Sequence, residues 1–313
     1  MIAERTRNLR LTLGPLLYYW PRDRVFAFYE EAAAWPVDSV YVGEAVCAKR
    51  HEMRPSDWLD IARRLADAGK EVVLSTCELI ESEQDLRVMR KLCANGEFRV
   101  EANDLGAVRL LADKVAFVAG PYLNVYSRPT LEVFRGMGAI RWVMPIELSR
   151  DGLKQVLHDP GLEMETEVFA YGRLPLAVSA RCFTARYNNL SKDDCQFRCI
   201  EHPDGLLVST QDDEPFLAIN GLQTQSAKVQ DLSAEIPAMK AMGVDRLRLS
   251  PQARHTGDIV RTFRSVLEGT LPAAAAARAL SGWAPADLCD GYWHGRPGQE
   301  RAGRVEIALA RAS

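Results

Sequence analysis

The sequence predicts an α/β fold: a (β/α) TIM-like barrel with a cysteine-bearing insertion after the seventh strand and a C-terminal extension. Three observations lead there. Apolar or β-branched runs alternate with amphipathic helical patterns. Eight such runs can be marked, and repeated βα units imply parallel strands, because each parallel pair needs a crossover. The 313 residues exceed the roughly 250 of a closed eight-stranded barrel. The surplus falls mainly between the last two runs. An open doubly wound sheet is the alternative.

The first strand is expected at Leu9–Tyr18, ended by Trp20-Pro21, with a helix at Asp23–Ala34. Strands at Ser39–Val46 and Glu71–Thr76 are followed by helices at Ser56–Ala68 and Glu83–Ala94. A short strand at Phe98–Ala102 precedes Asn103–Ala112, where Asn103-Asp104 reads as a helix N-cap. Strands at Val115–Ala119 and Ile140–Met144 lead to helices at Pro129–Gly136 and Ser149–Leu157. The seventh strand is Met164–Tyr171, and the eighth, Arg246–Leu249, follows a helix at Ser233–Ala241. Between them, Gly205–Ser209 and Phe216–Ile219 flank the polar turn QDDEP and read as a β-hairpin. Residues 1–270, with the insertion 172–232, form the expected barrel domain, and 271–313 the extension.

Hydrophobic residues make up 47% and charged residues 26%, enough for a sizeable core. The net charge of −3 leaves no electrostatic footprint for nucleic acid. The start, MIAERTRNLRLTLGP, does not read as a signal peptide, and no stretch reaches the roughly 20 apolar residues of a membrane span. A cytoplasmic protein is therefore expected, in which thiols stay reduced. Seven cysteines then need an explanation other than disulfides.

Cys182, Cys195 and Cys199 lie among Arg, Asn, Lys, Asp and Gln in the insertion, a poor setting for small buried hydrophobes. If the segment is helical, Cys195 and Cys199 sit one turn apart on one face. A closed zinc site or a cubane cluster takes a fourth ligand. Loops that follow barrel strands share the C-terminal face. Cys47 comes directly after the second strand and so shares that face with the insertion. Cys77 also ends a strand, and this geometry does not exclude it. Cys93 ends a helix, and Cys289 lies in the tail. Lys49, Arg50, Arg181, Arg186 and Arg198 flank these cysteines, and cations favour the thiolate. Spacing does not separate zinc from iron–sulfur.

The segment Glu167–Cys199, EVFAYGRLPLAVSARCFTARYNNLSKDDCQFRC, resembles the signature of the collagenase-like peptidase family. GPLLYYWP (Gly14–Pro21), GEAVCAKR (Gly43–Arg50) and CDGYWHGRPG (Cys289–Gly298) bring it close to the family's ubiquinone-biosynthesis branch. The resemblance implies a 4Fe-4S cluster held by Cys47, Cys182, Cys195 and Cys199. It implies a heterodimer with UbiU, a second cluster-bearing member, and work alongside the lipid-binding accessory protein UbiT. The implied activity is oxygen-independent hydroxylation of a ubiquinone precursor, with prephenate as a candidate oxygen donor. The alternative is a non-catalytic, metal-stabilised partner that scaffolds the catalytic subunit. At the position where peptidase-assigned members carry a His before the signature Gly, this chain has Tyr171. No nucleophile elbow or zinc-protease motif is present, so proteolysis is not expected.

Glu44 and Glu167 lie where a barrel buries side chains, and pairing with cations is expected for Glu167. Tyr18-Tyr19-Trp20 reads as core, with a ring-binding role as the alternative. Tyr292-Trp293 reads as a candidate partner contact. The five histidines form no ligand spacing.

Overall fold

The computed structural model describes residues 9–158, 161 and 163–302. Residues 1–8 of the leading segment and 303–313 of the expected extension lie outside them. In chain order the elements are β1 (Arg10–Leu13), α1 (Arg22–Ala33), β2 (Ser39–Val42), α2 (Pro55–Asp67), β3 (Glu71–Ser75), α3 (Glu83–Cys93), β4 (Arg99–Ala102) and α4 (Leu105–Leu111). There follow β5 (Phe117–Ala119), α5 (Arg128–Gly136), β6 (Ala139–Val143), α6 (Arg150–Leu157) and β7 (Glu165–Val178). The inserted segment holds α7 (Phe183–Tyr187), β8 (Leu206–Ser209), β9 (Pro215–Asn220) and β10 (Gln223–Asp231). The chain continues through α8 (Ile236–Met242), β11 (Arg246–Leu249), α9 (Thr256–Leu267), α10 (Ala273–Trp283) and β12 (Leu288–Cys289).

Strands β1 to β7 pair in parallel with their neighbours. Strand β11 pairs with both ends, Arg10 opposite Arg246 on one side and Glu167 opposite Arg246 on the other. The eight parallel strands therefore close into a TIM-like barrel, as the alternation of patterns predicts. The helices follow their local chemistry. In α2 the buried Trp58, Ile61, Ala62 and Leu65 form one stripe, and Asp57 accepts from the Arg54 backbone N–H at 2.9 Å to close the first turn. Ser82, Ser127 and Ser149 cap α3, α5 and α6. Asp104 alone caps α4; Asn103 turns inward and donates to the Thr76 carbonyl at 2.9 Å.

The main apolar core lies between strands and helices, and the barrel interior is different. Tyr41, Val73, Val118 and Val143 make a small apolar cluster there. Around it runs an ionic ladder. Arg141 and Arg246 bind Glu71 and Glu165 at the N-terminal end, at 2.7 to 3.0 Å. Above them Arg248 binds Glu101 and Glu167, each at 2.7 Å, and the Tyr41 hydroxyl donates to Glu167 at 2.9 Å. Glu167 is thus paired, as expected. Burial alone would raise the Glu71 carboxyl, but Arg141 and Arg246 beside it hold it down to about 2.

The seventh strand does not stop at Tyr171. Gly172 has φ +134°, and a Cβ there would meet the Ser250 side chain at 2.5 Å. The glycine bends the strand out of the barrel without ending it. Residues Gly172–Val178 then pair antiparallel with β10, and the expected hairpin, Leu206 opposite Ile219, extends that sheet through β9.

Candidate functional site at the barrel mouth

Gly43 ends β2 with φ +133°, and its Cα packs so closely that a Cβ would lie 2.6 Å from the Ser75 carbonyl oxygen. This turn launches the loop that carries Cys47. Glu44 orders it: its Oε1 accepts from the Val46 and Cys47 backbone N–H groups at 3.1 Å each. Gly43→Ala is expected to cost about 2 kcal/mol or more, seen as a lower urea midpoint, because only glycine tolerates both the φ and the contact.

Arg50 is the hub of this loop and is 5% exposed. Its guanidinium donates to the Leu17 carbonyl at 2.8 Å, Asn220 Oδ1 at 2.7 Å and Glu44 Oε1 at 3.4 Å. It thereby ties the exit of β1, the Cys47 loop and strand β9. Its Nε is buried without a hydrogen-bond partner.

Of the four cysteines expected as ligands, Cys47 and Cys199 lie within electrostatic reach of this hub, Cys182 packs beside Cys47, and Cys195 lies toward Lys49. Cys47 and Cys182 belong to one small apolar cluster with Leu17, Leu79 and Leu222. Cys199 lies against the Arg50 guanidinium and feels the charge of Cys182. Lys49 sits within electrostatic reach of Cys195 and Cys47 while bonding Asp193 at 2.5 Å. Cys47 and Cys199 are buried, and Cys182 and Cys195 half-buried. Among the described residues no three His, Cys, Asp or Glu side chains converge as one metal ion would require. Of the other thiols, Cys93 packs on the main core, Cys289 is buried against Phe169 and Leu174, and Cys77 lies within electrostatic reach of Cys47.

Three expectations are corrected. Cys195 and Cys199 are not one helical turn apart: Gln196 and Phe197 both adopt left-handed φ, +50° and +52°, and only a 3-10 turn follows at Arg198–Glu201. At Cys47 and Cys199 the basic neighbours do not dominate. Burial pushes Cys47 up to about 11 and raises Cys199, although Arg50 pulls both the other way. Trp293 is not a surface contact: it is 2% exposed, and its indole N–H donates to Glu235 at 2.8 Å. Tyr18, Tyr19 and Trp20 are all buried, in keeping with the core reading.

Beside the thiols lies a cavity of about 350 Å³ in the barrel mouth. Seven of the eight barrel strands or the loops after them contribute to its wall, and the extension of β7 closes one side. Leu17 and Leu79 belong both to this wall and to the cluster holding Cys47 and Cys182. Sequence reasoning did not single out Glu78 or Tyr122, which line it. Gln223, behind them, donates to the Tyr122 hydroxyl at 2.8 Å and to Glu78 Oε2 at 3.3 Å.

Burial raises the Glu78 carboxyl to about 8, against the opposing pull of Tyr122, Gln223 and Arg50, with Glu44 adding to the rise. The folded chain therefore keeps this proton well above the pH at which the unfolded chain releases it. The associated stability is complete below about pH 4.5 and is lost as pH rises through about 8. Glu78→Gln, which cannot ionise, is expected to be the more stable form at pH 8 by a few kcal/mol, with the gap closing by pH 5 in urea titrations.

Fold and site together describe a closed parallel barrel with thiols and a cavity at its C-terminal face. The chain belongs to peptidase family U32, whose sequence profile matches residues 26–303. Among solved structures it is similar to the U32 peptidase Mk0906, at 14% identity over 79% of this chain and 94% of that one, with a TM-score of 0.45. It is also similar to the dihydropteroate synthase (FolP) of Thermus thermophilus, at 15% identity over 84% and 94% of the two chains, TM-score 0.42. A third is the Plasmodium falciparum HPPK-DHPS with pterin and p-hydroxybenzoate, at 11% identity over 88% of this chain and 49% of that one, TM-score 0.46. Among the described residues no helix is long and apolar enough to cross a membrane.

Proposed function

We propose that this chain is the iron–sulfur subunit of an oxygen-independent hydroxylation system in ubiquinone biosynthesis, acting with UbiU and the accessory protein UbiT. The observation that supports the reading is that two segments more than a hundred residues apart in sequence bring Cys47 and Cys199 to Arg50, Cys182 beside Cys47, and Cys195 near Lys49. The motifs around them resemble those of UbiV, the ubiquinone-biosynthesis member of this family.

The donor set fits a 4Fe-4S cluster. Four soft thiolates are the ligands such clusters take. A buried guanidinium with an unpartnered Nε, and an ammonium beside Cys195, offset the negative charge four thiolates bring. Among the described residues the thiols do not converge as they stand, so seating the group requires them to come closer together. When bound, it supplies one-electron transfer, since four protein thiolates leave no open iron. The chain's own residues do the rest. Glu44 holds the Cys47 backbone, Arg50 ties the Cys47 loop to β9 and the exit of β1, and Leu17 and Leu79 pack beside Cys47 and Cys182. Prephenate is the candidate oxygen donor of the system.

The same cross-links favour a second reading, a metal-stabilised scaffold for a catalytic partner, because Arg50 already ties three segments where a metal would staple them. Anaerobic purification separates the cases. The hydroxylase reading expects a broad absorption near about 400 nm that reductant bleaches. It also expects quinone formation when the chain is reconstituted with UbiU, donor and precursor. A colourless zinc protein that supports quinone formation would leave only the scaffold.

A further inference from the structure

The mouth cavity carries an inference about what this chain itself holds. Its size, about 350 Å³, suits a small molecule, such sites spanning about 300–1,000 Å³. Its walls are mainly apolar, Leu17, Leu79, Val143, Met144, Phe169 and Leu176 among them. One end is polar. There Glu78 and Tyr122 meet, backed by Gln223, and Glu78 Oε1 is buried with no hydrogen-bond partner. A buried carboxyl oxygen left unpaired costs free energy that a ligand hydroxyl would recover.

Charge decides the class of ligand. Glu101 and Glu147 line the cavity beside Glu78, whose carboxyl keeps its proton, and Glu167 lies beneath Arg248. Arg248 is the one cation among the described lining residues, and its Nε and Nη2 are already held by Glu167 and Glu101 at 2.7 Å each. A dicarboxylate would meet carboxylates and a guanidinium already spoken for. A neutral ring meets apolar walls and finds hydrogen-bond partners at Glu78 and Tyr122.

We infer that this cavity binds an uncharged phenol, with the ring between Leu79, Met144 and Leu176 and the hydroxyl against Glu78 and Tyr122, and that an anionic oxygen donor is bound elsewhere. The inference rests on the proposed hydroxylase reading only for where such a phenol comes from. Its consequence is a division of labour: this chain presents the acceptor ring at a wall, Leu17 and Leu79, shared with the thiol cluster.

The test titrates the full-length chain, isolated anaerobically, with 2-allylphenol and with isophthalate, a ring dianion, by calorimetry. The phenol is expected to saturate one site, and isophthalate to give no binding at the same concentrations. Tyr122→Phe is expected to weaken phenol binding about fivefold to tenfold, the worth of one hydrogen bond. Leu176→Trp, which fills the cavity, is expected to abolish it. Isophthalate binding as tightly as the phenol, no phenol binding at all, or phenol binding unmoved by either variant would overturn the inference. Iron content and quinone formation are measured on the same parent protein. Phenol binding without cluster or quinone formation therefore refutes the hydroxylase reading alone, and an intact cluster without phenol binding refutes this inference alone.

Discussion

Cys195→Ala is expected to strip the anaerobically isolated protein of its iron and its visible absorption. The same loss is expected for Cys47→Ala, Cys182→Ala and Cys199→Ala, and not for Cys77→Ala, Cys93→Ala or Cys289→Ala. The argument runs through what each thiol otherwise does. Cys195 is half-buried in an irregular loop, and its backbone carbonyl, not its side chain, accepts from Arg198. Truncating it should cost under about 0.5 kcal/mol of folding stability, as a change away from core packing does. Loss of iron there cannot then be charged to unfolding. Cys93 and Cys289 are the reverse: both pack on apolar neighbours, and truncation should cost about 1–2 kcal/mol while iron stays. In cells, Cys195→Ala should abolish quinone formed without oxygen and spare the aerobic route. Full iron occupancy in Cys47→Ala would remove that residue from the ligand set. Iron lost with Cys77→Ala would put Cys77, which lies within electrostatic reach of Cys47, in its place.

What the sequence made legible follows from what is local. The barrel strands are short apolar or β-branched runs between helices with ordinary caps, so their order and parallel pairing can be read directly. Strand β10 cannot. Its sequence, QTQSAKVQD, looks like a polar loop, yet Gln223, Gln225 and Gln230 are buried. Two of these glutamines have amide partners supplied by other elements, Tyr122 and Glu78 for Gln223, and Phe169 for Gln230. Burial of that kind is a tertiary event with no signature in period or hydropathy. Gly172 misleads for a related reason: a glycine after a strand reads as a stop, and here it is a bend that lets β7 serve two sheets. The thiols are conspicuous by residue type and setting. Arg50 is not, because its role depends on Leu17 and Asn220, 33 and 170 residues away. Left-handed φ at Gln196 and Phe197 likewise carries no helix-breaking residue to announce it.

Arg248→Met is expected to destabilise the barrel by about 3–5 kcal/mol, the second large effect. Methionine keeps the volume but leaves Glu101 and Glu167, both fully buried, without their cation. For a chain of this size such a loss lowers the melting temperature by roughly 10 °C. The guanidinium also packs over the Tyr41 ring at 4.2 Å, so some of the cost is packing. A pH series separates the two contributions. Orphaned buried carboxylates have folded pKa values above their unfolded ones, so the variant gains stability relative to the parent as pH falls toward about 4 and the groups take up protons. Lost packing has no such dependence. Replacing the set together, Arg248→Met with Glu101→Gln and Glu167→Gln, should restore much of the stability, since no buried charge is then unpaired. A single variant whose deficit is the same at pH 4.5 and pH 8, and is not relieved by the carboxamides, would show that the ladder holds the barrel by shape and not by charge.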